Sequence, residues 1–161
     1  MSEEITYSVP IGVKRPGESR IYRNSQSVDG LHKPPENVRS IHDVWRNSVA
    51  NNGKHKCMED YTYEQVDQMT QYIGSWLADG GFKLIYIHTI NRIEWCLVDI
   101  ACMKYGIVTV PLYDTLGEEA LHHTMNLTGG KLMVESKQAV IALLKANPAS
   151  LKNITHMILL D

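Results

Sequence analysis

The stretch VPLYDTLGEEAL, residues 110–121, joins the end of a β-branched run to the beginning of a helical pattern. The run IVTV at 107–110 is typical of a buried strand, and the proline that follows it predicts where that strand ends. Thr115 and Glu118 have the spacing of a capping box, which predicts a helix that continues to about residue 127. A buried strand, a polar loop and a helix in this order form the repeating unit of a parallel α/β sheet, in which such loops hold ligands.

The same alternation occurs on both sides of this stretch. Apolar runs at 84–87, 132–134 and 157–160 predict three further strands, and helical patterns at 91–105 and 137–146 lie between strands. Helical connections of this length require parallel strands and give right-handed crossovers. The sequence therefore predicts an α/β fold, in which βαβ units build a four-stranded parallel sheet with helices on both faces.

Two helices are predicted ahead of the first strand. Ser40 is the predicted N-cap of the first of them. Thr62 and Gln65 have the capping-box spacing at the start of the second. Asn91 and Glu94 repeat that spacing after the first strand, so they predict the start of the helix that follows it.

The first 39 residues differ from the rest of the chain. They contain few periodic apolar positions, and prolines and glycines interrupt them. We interpret residues 1–39 as an extended N-terminal arm rather than a folded unit. Residues 40–161 are then expected to hold the two helices and the sheet.

Composition excludes several classes of function. The 161 residues carry a formal net charge of −2, with 43 % hydrophobic and 21 % charged residues, as in an average soluble domain. Glutamate and serine interrupt the basic residues of the arm, so no nucleic-acid partner is expected; these residues are Lys14, Arg15, Arg20 and Arg23. No apolar run reaches about 18 residues, so no membrane span is predicted. The cysteines Cys57, Cys96 and Cys102 lack metal-ligand spacing and indicate a reducing compartment.

Two loops follow the carboxyl ends of predicted strands, at 88–91 and 111–117. In the second loop, Asp114 is either a general base or metal ligand, or an aspartate that bonds nearby backbone amides. The charges of Glu118 and Glu119 repel phosphate at the start of the next helix. The phosphate-binding patterns G-x-x-x-x-G-K-[ST] and G-x-G-x-x-G and the hydrolase pattern G-x-S-x-G are absent. Spacing alone therefore predicts no catalytic residue, no cofactor-binding residue and no metal ligand.

Several motifs resemble one enzyme family over nearly the whole chain. They are NRIEW at 91–95, VPLYDTLG at 110–117, YTYEQV at 61–66 and, in the arm, YRN at 22–24 and DGL at 29–31. Together they resemble the eukaryotic long-chain fatty acyl-CoA synthetases of the adenylate-forming superfamily, with plant-type members the most similar. The resemblance implies that residues 40–161 are an incomplete AMP-binding domain, the N-terminal portion of such an enzyme.

The resemblance implies an enzyme that activates a long-chain fatty acid with ATP and Mg²⁺ and then forms a thioester with coenzyme A. In the family, the nucleotide-binding residues follow the matched segment, so this chain is expected to bind none of these cofactors alone and to be inactive as a truncated segment. The residues that match family motifs in the two loops are Asn91, Glu94, Trp95, Tyr113, Asp114, Thr115 and Gly117. A structural role and a role near the substrate both remain open for them.

The chain also departs from the family pattern. The segments between Gly53 and Tyr61 and between Gly81 and Leu84 are shorter than usual, which indicates an incomplete or divergent gene product or a misjoined transcript. The alternative hypothesis is a non-catalytic binding or regulatory module that associates with a full-length synthetase. The resemblance implies an intracellular location, in the cytoplasm or on the cytosolic face of the endoplasmic reticulum or peroxisome.

Overall fold

The computed structural model describes residues 6–31, 33–113, 115, 117–146 and 151–160. The chain forms two compact units, Met1–Arg39 and Ser40–Asp161. The first unit holds a single two-stranded sheet among its described residues, and the second holds the parallel sheet.

The first unit contains a β-hairpin. β1 (Ser8–Ile11) pairs antiparallel with β2 (Ile21–Asn24), and a short 3-10 turn at Ser25–Ser27 follows. Gly12 and Gly17 lie between the strands at φ values of +65° and +80°, which glycine adopts without strain. The structure adds this hairpin to the predicted arm; the sequence of the arm, with few periodic apolar positions, did not predict it.

The second unit begins with two helices and a small antiparallel hairpin: α1 (Ile41–Asn52), β3 (Lys56–Met58), β4 (Tyr61–Thr62) and α2 (Tyr63–Asp79). Ser40 caps α1 as predicted, and Asp43 completes a capping box with it. The predicted box of Thr62 and Gln65 starts α2 and is confirmed. The hairpin was not predicted, because strands of three and two residues carry no periodic signal.

The parallel sheet follows, and its four strands alternate with three helices. The elements are β5 (Leu84–His88), α3 (Ile93–Tyr105), β6 (Val108–Pro111), α4 (Gly117–Thr128), β7 (Leu132–Ser136), α5 (Lys137–Ala146) and β8 (His156–Leu160). The strand order is β6-β5-β7-β8, and every neighbouring pair is parallel. The predicted α/β fold with βαβ units is confirmed.

Apolar layers cover both faces of this sheet. Ile85 and Ile87 of β5 point to the face that α2 and α3 cover, where they pack in one cluster with Val98. Tyr86, between them in sequence, points to the opposite face and packs with Met125 of α4. This alternation buries β5 on both faces, as its continuous apolar sequence predicted.

A polar contact joins the first three helices of the second unit. The Trp45 indole on α1 and the Lys104 ammonium on α3 both donate to Asp67 Oδ1 on α2, each over 2.8 Å. Burial alone would raise the pKa of Asp67, but the hydrogen bonds from Lys104 and Trp45 outweigh it and hold the pKa below its ordinary value. The ionised carboxylate therefore fixes the helices that cover one face of the sheet.

Candidate ligand-binding crevice

An open crevice of about 660 Å³ lies at the carboxyl ends of β5 and β6. Its volume falls within the range of about 300–1,000 Å³ that is usual for small-molecule sites. The residues that line it come from the loop after β5, the start of α3 and the loop after β6: His88, Thr89, Ile90, Asn91, Arg92, Trp95, Cys96, Leu112, Tyr113 and Thr115. Both loops that the sequence singled out therefore contribute to one crevice.

The strand order explains why the crevice opens at this point. The chain passes from β5 to β6 on one side of β5, and then returns across it to β7 on the other side. Helix α3 therefore covers one face of the sheet, whereas α4 and α5 pack on the other. Loops that leave neighbouring strands in opposite directions separate from each other, and this separation produces the ligand-binding crevice of open α/β sheets.

A buried hydrogen-bonded pair of side chains joins the ends of two strands at this edge of the sheet. His88 ends β5 and lies beside Glu135 of β7 in the parallel register. His88 Nδ1 and Glu135 Oε1 are 2.8 Å apart, with side chains that are 6 % and 0 % exposed. The hydrogen bond fixes the orientation of the imidazole, which lines the crevice.

Sequence reasoning missed this pair, although a signal was present. His88 and Glu135 each stand at the end of an apolar run, LIYIH and LMVE, where a polar residue is unusual. Their contact depends on the register between β5 and β7, which periodicity does not give. Two buried oxygen atoms nearby, Glu135 Oε2 and Thr89 Oγ1, have no hydrogen-bond partner within the part of the chain that the structure describes.

The start of α3 differs from its prediction. The helix begins at Ile93 with Arg92 as its N-cap, and no side chain caps it. The predicted cap of Asn91 with Glu94 was wrong, because the Arg92 guanidinium binds the Glu94 carboxylate through two hydrogen bonds of 2.7 and 2.9 Å. The Arg92 hydrogen bonds hold the pKa of Glu94 below its ordinary value. Arg92 lines the crevice, and the Glu94 carboxylate largely balances the positive charge of its guanidinium.

The loop after β6 contributes Tyr113 and Thr115, both exposed. Asp114 lies outside the described residues, as does the side chain of Glu118. Helix α4 begins at Gly117, whose φ is +73°. A cap at Thr115 predicts a helix that begins at the next residue, so the observed helix starts slightly later than predicted. The positive φ explains why glycine, which lacks a Cβ, occupies this position.

The crevice brings together only some of the residues in the family motifs. Asn91, Trp95, Tyr113 and Thr115 line it, whereas Glu94 and Gly117 do not. Within the described residues, no group of three or more histidine, cysteine, aspartate or glutamate side chains could hold a metal ion. No helix among them is long and apolar enough to cross a membrane.

Comparison with known proteins identifies the family. The sequence profile of the AMP-binding enzymes matches residues 45–161. The chain belongs to this family. Long-chain-fatty-acid–CoA ligase 1 of Cavia porcellus is 37 % identical over 105 residues, which are 56 % of this chain and 15 % of that protein. Long chain acyl-CoA synthetase 4 of Arabidopsis thaliana is 29 % identical over 152 residues, 84 % of this chain and 23 % of its own length.

Solved structures agree with the fold. A fatty acyl CoA synthetase of Mycobacterium tuberculosis superposes with a TM-score of 0.65 at 18 % identity, over 75 % of this chain and 26 % of its own. A second structure, named as a putative long-chain-fatty-acid CoA ligase of Rhodopseudomonas palustris, superposes with a TM-score of 0.66 at 15 % identity. The match covers 76 % of this chain and 33 % of that one. The family match and the curated relatives confirm the resemblance to the long-chain fatty acyl-CoA synthetases. The chain spans less than a quarter of the length of the two curated relatives named above.

Proposed function

We propose that residues 40–161 form the N-terminal part of the adenylate-forming domain of a long-chain fatty acid–CoA ligase. The observation that carries this proposal is the match of residues 45–161 to the AMP-binding enzymes, together with relatives that are long-chain ligases. The proposed whole enzyme uses ATP and Mg²⁺ to activate a long-chain fatty acid and transfers the acyl group to coenzyme A. Its proposed location is intracellular, in the cytoplasm or on the cytosolic face of an organelle.

We further propose that the 161 residues do not form an acyl-adenylate alone. Transfer of a nucleotidyl group requires cationic donors and metal ligands around the phosphates. In the crevice, the described arginine is paired with Glu94, and the described residues contain no metal-holding cluster. These observations support the proposal, in which the crevice is a structural part of the domain and not an ATP–Mg²⁺ site.

An ATP–pyrophosphate exchange assay tests the second proposal. The purified 161-residue chain is incubated with palmitate, ATP, Mg²⁺ and labelled pyrophosphate. We expect exchange at the level of a sample without protein, whereas a full-length long-chain ligase in the same buffer exchanges label rapidly. Exchange that depends on palmitate and survives further purification would contradict the proposal.

A second candidate function is a non-catalytic module that associates with a full-length synthetase. It is favoured by exposed apolar side chains on β8, namely Met157 and Leu159. Surfaces of this kind are typical of protein contacts. Co-elution of the chain with a full-length ligase in size-exclusion chromatography would support this function, and separate elution at micromolar concentrations would exclude it.

A further inference from the structure

The β1–β2 hairpin presents apolar and basic side chains on one face. In the antiparallel register, Ile11 lies opposite Ile21, and Val9 lies opposite Arg23. Opposed residues alternate between the two faces along a strand, so these two pairs share a face. On this face Ile21 and Arg23 are exposed, whereas Val9 and Ile11 are partly covered. No described residue of the first unit is fully buried, so this unit has no core of its own.

The connection between the strands adds three more cations. Lys14, Arg15 and Arg20 are exposed, and their side chains make no hydrogen bond or ion pair with any residue that the structure describes. Residues 6–28 contain four basic residues and one acidic residue, Glu18, so their net charge is +3. Because the whole chain carries −2, all other residues together carry −5. Positive charge is therefore concentrated in the hairpin.

The tip of the hairpin is also apolar. Val13, which directly precedes Lys14, is 93 % exposed at this tip. Tyr7 and Tyr22 are exposed as well, but Tyr7 precedes β1 at the other end of the hairpin, and Tyr22 lies opposite Pro10 on the other face. A two-stranded hairpin is marginally stable in water unless another surface covers its apolar side. Its partner must therefore offer both an apolar region and negative charge.

A bilayer surface with anionic headgroups satisfies both requirements. Each lysine or arginine near such a surface is attracted by the anionic lipids. Nucleic acid fits less well, because a phosphate backbone would leave the apolar side chains uncovered. We propose that the β1–β2 hairpin docks on anionic phospholipid membranes, with Val13 at the headgroup level and the cations on the lipid charges.

Vesicle co-sedimentation tests the proposal on the 161-residue chain. Phosphatidylcholine vesicles with and without phosphatidylserine are compared at low and at physiological salt. We expect binding only to the phosphatidylserine vesicles, and weaker binding at the higher salt concentration. Reversal of two charges in the variant Lys14→Glu/Arg15→Glu should lower the partition coefficient about thirtyfold or more.

A matched control separates local from overall charge. Lys54→Glu/Lys152→Glu changes the net charge by the same amount at two exposed lysines of the second unit. This control should bind as the parent chain does, and circular dichroism should show that all variants keep the parent secondary structure. Equal loss of binding in both double variants would overturn the proposal, as would the absence of binding to phosphatidylserine vesicles.

The apolar contribution is tested separately. Val13→Ser leaves every charge in place, and we expect it to weaken vesicle binding without changing binding to heparin, a soluble polyanion. If Val13→Ser binds vesicles as the parent does, the hairpin acts as a general cation surface and membrane docking is refuted. Binding by a protein partner in place of vesicles would likewise refute it.

Discussion

At the scale of single residues, the most constrained contact is the buried pair of His88 and Glu135. Both side chains are almost fully removed from water, and their hydrogen bond of 2.8 Å joins two neighbouring strands. Removing polar side chains from water is costly, and their mutual hydrogen bond offsets that cost only while both partners are present. The contribution of each side chain to stability therefore depends on the presence of the other.

This dependence gives a prediction for single and double variants. His88→Leu and Glu135→Leu each remove one side of a buried hydrogen bond, so each should lower the free energy of unfolding by about 2 kcal/mol. The double variant should lose clearly less than the sum of the two, because it leaves no uncompensated group from the pair. Urea unfolding followed by tryptophan fluorescence measures all four proteins. Additive losses would show that the two side chains do not act as a unit.

The sequence predicted residues whose contacts are local and missed those that depend on tertiary structure. The caps at Ser40 and Thr62 involve partners three residues away, so spacing alone was sufficient. The Asn91 cap failed because the neighbouring Arg92 competes for the Glu94 carboxylate. His88 meets its partner 47 residues away, and only the strand register brings them together.

At the scale of elements, the strand sequence predicted the parallel sheet but not its order. Nearly continuous apolar runs identified all four strands of the sheet, and helical periodicity identified the helices between them. The order β6-β5-β7-β8 depends on which faces the helices cover, and this is decided by packing. The position of the crevice followed from the rule that ligands bind beyond the carboxyl ends of strands.

The contact of Trp45, Asp67 and Lys104 between helices gives a pH-dependent prediction. The folded state holds the pKa of Asp67 below its ordinary value of 3.8, so the ionised carboxylate stabilises the fold. This contribution is fully present above the unfolded-state pKa and is lost as pH falls through the lower, folded-state pKa. Asp67→Asn should therefore be less stable than the parent at neutral pH.

The difference between the two proteins should diminish on acidification below about pH 4. Thermal unfolding across this pH range measures it, and Asp60→Asn is a suitable control because Asp60 is 93 % exposed in a surface ion pair. A gap between Asp67→Asn and the parent that widened in acid would contradict the assigned role of the carboxylate.

At the scale of the whole molecule, the second unit leaves apolar surface exposed at one edge of its sheet. Strand β8 is one of the two edge strands of the parallel sheet, and its side chain Leu159 is 51 % exposed. The segment HMILL contains no charged residue or proline that would prevent pairing with another strand. An unprotected apolar edge is a site of association between chains.

A lysine on this edge should therefore reduce association. Leu159→Lys is expected to shift the sedimentation profile toward the monomer at concentrations where the parent chain forms larger species. Leu127→Lys is the matched control, because Leu127 lies on α4 and is 76 % exposed. Equal effects of the two substitutions would show that general charge, and not the edge of β8, controls association.

The central claim is that this chain supplies a working part of a long-chain fatty acid–CoA ligase. The most direct measurement is palmitoyl-CoA formation by a chimera, in which residues 45–161 replace the matching segment of the Cavia porcellus ligase. We predict that the chimera is soluble and forms palmitoyl-CoA at a rate within about tenfold of the parent ligase. A tenfold lower rate corresponds to a loss of about 1.4 kcal/mol in transition-state stabilisation. A chimera that is monomeric and unfolds cooperatively, but forms no palmitoyl-CoA, would contradict the claim.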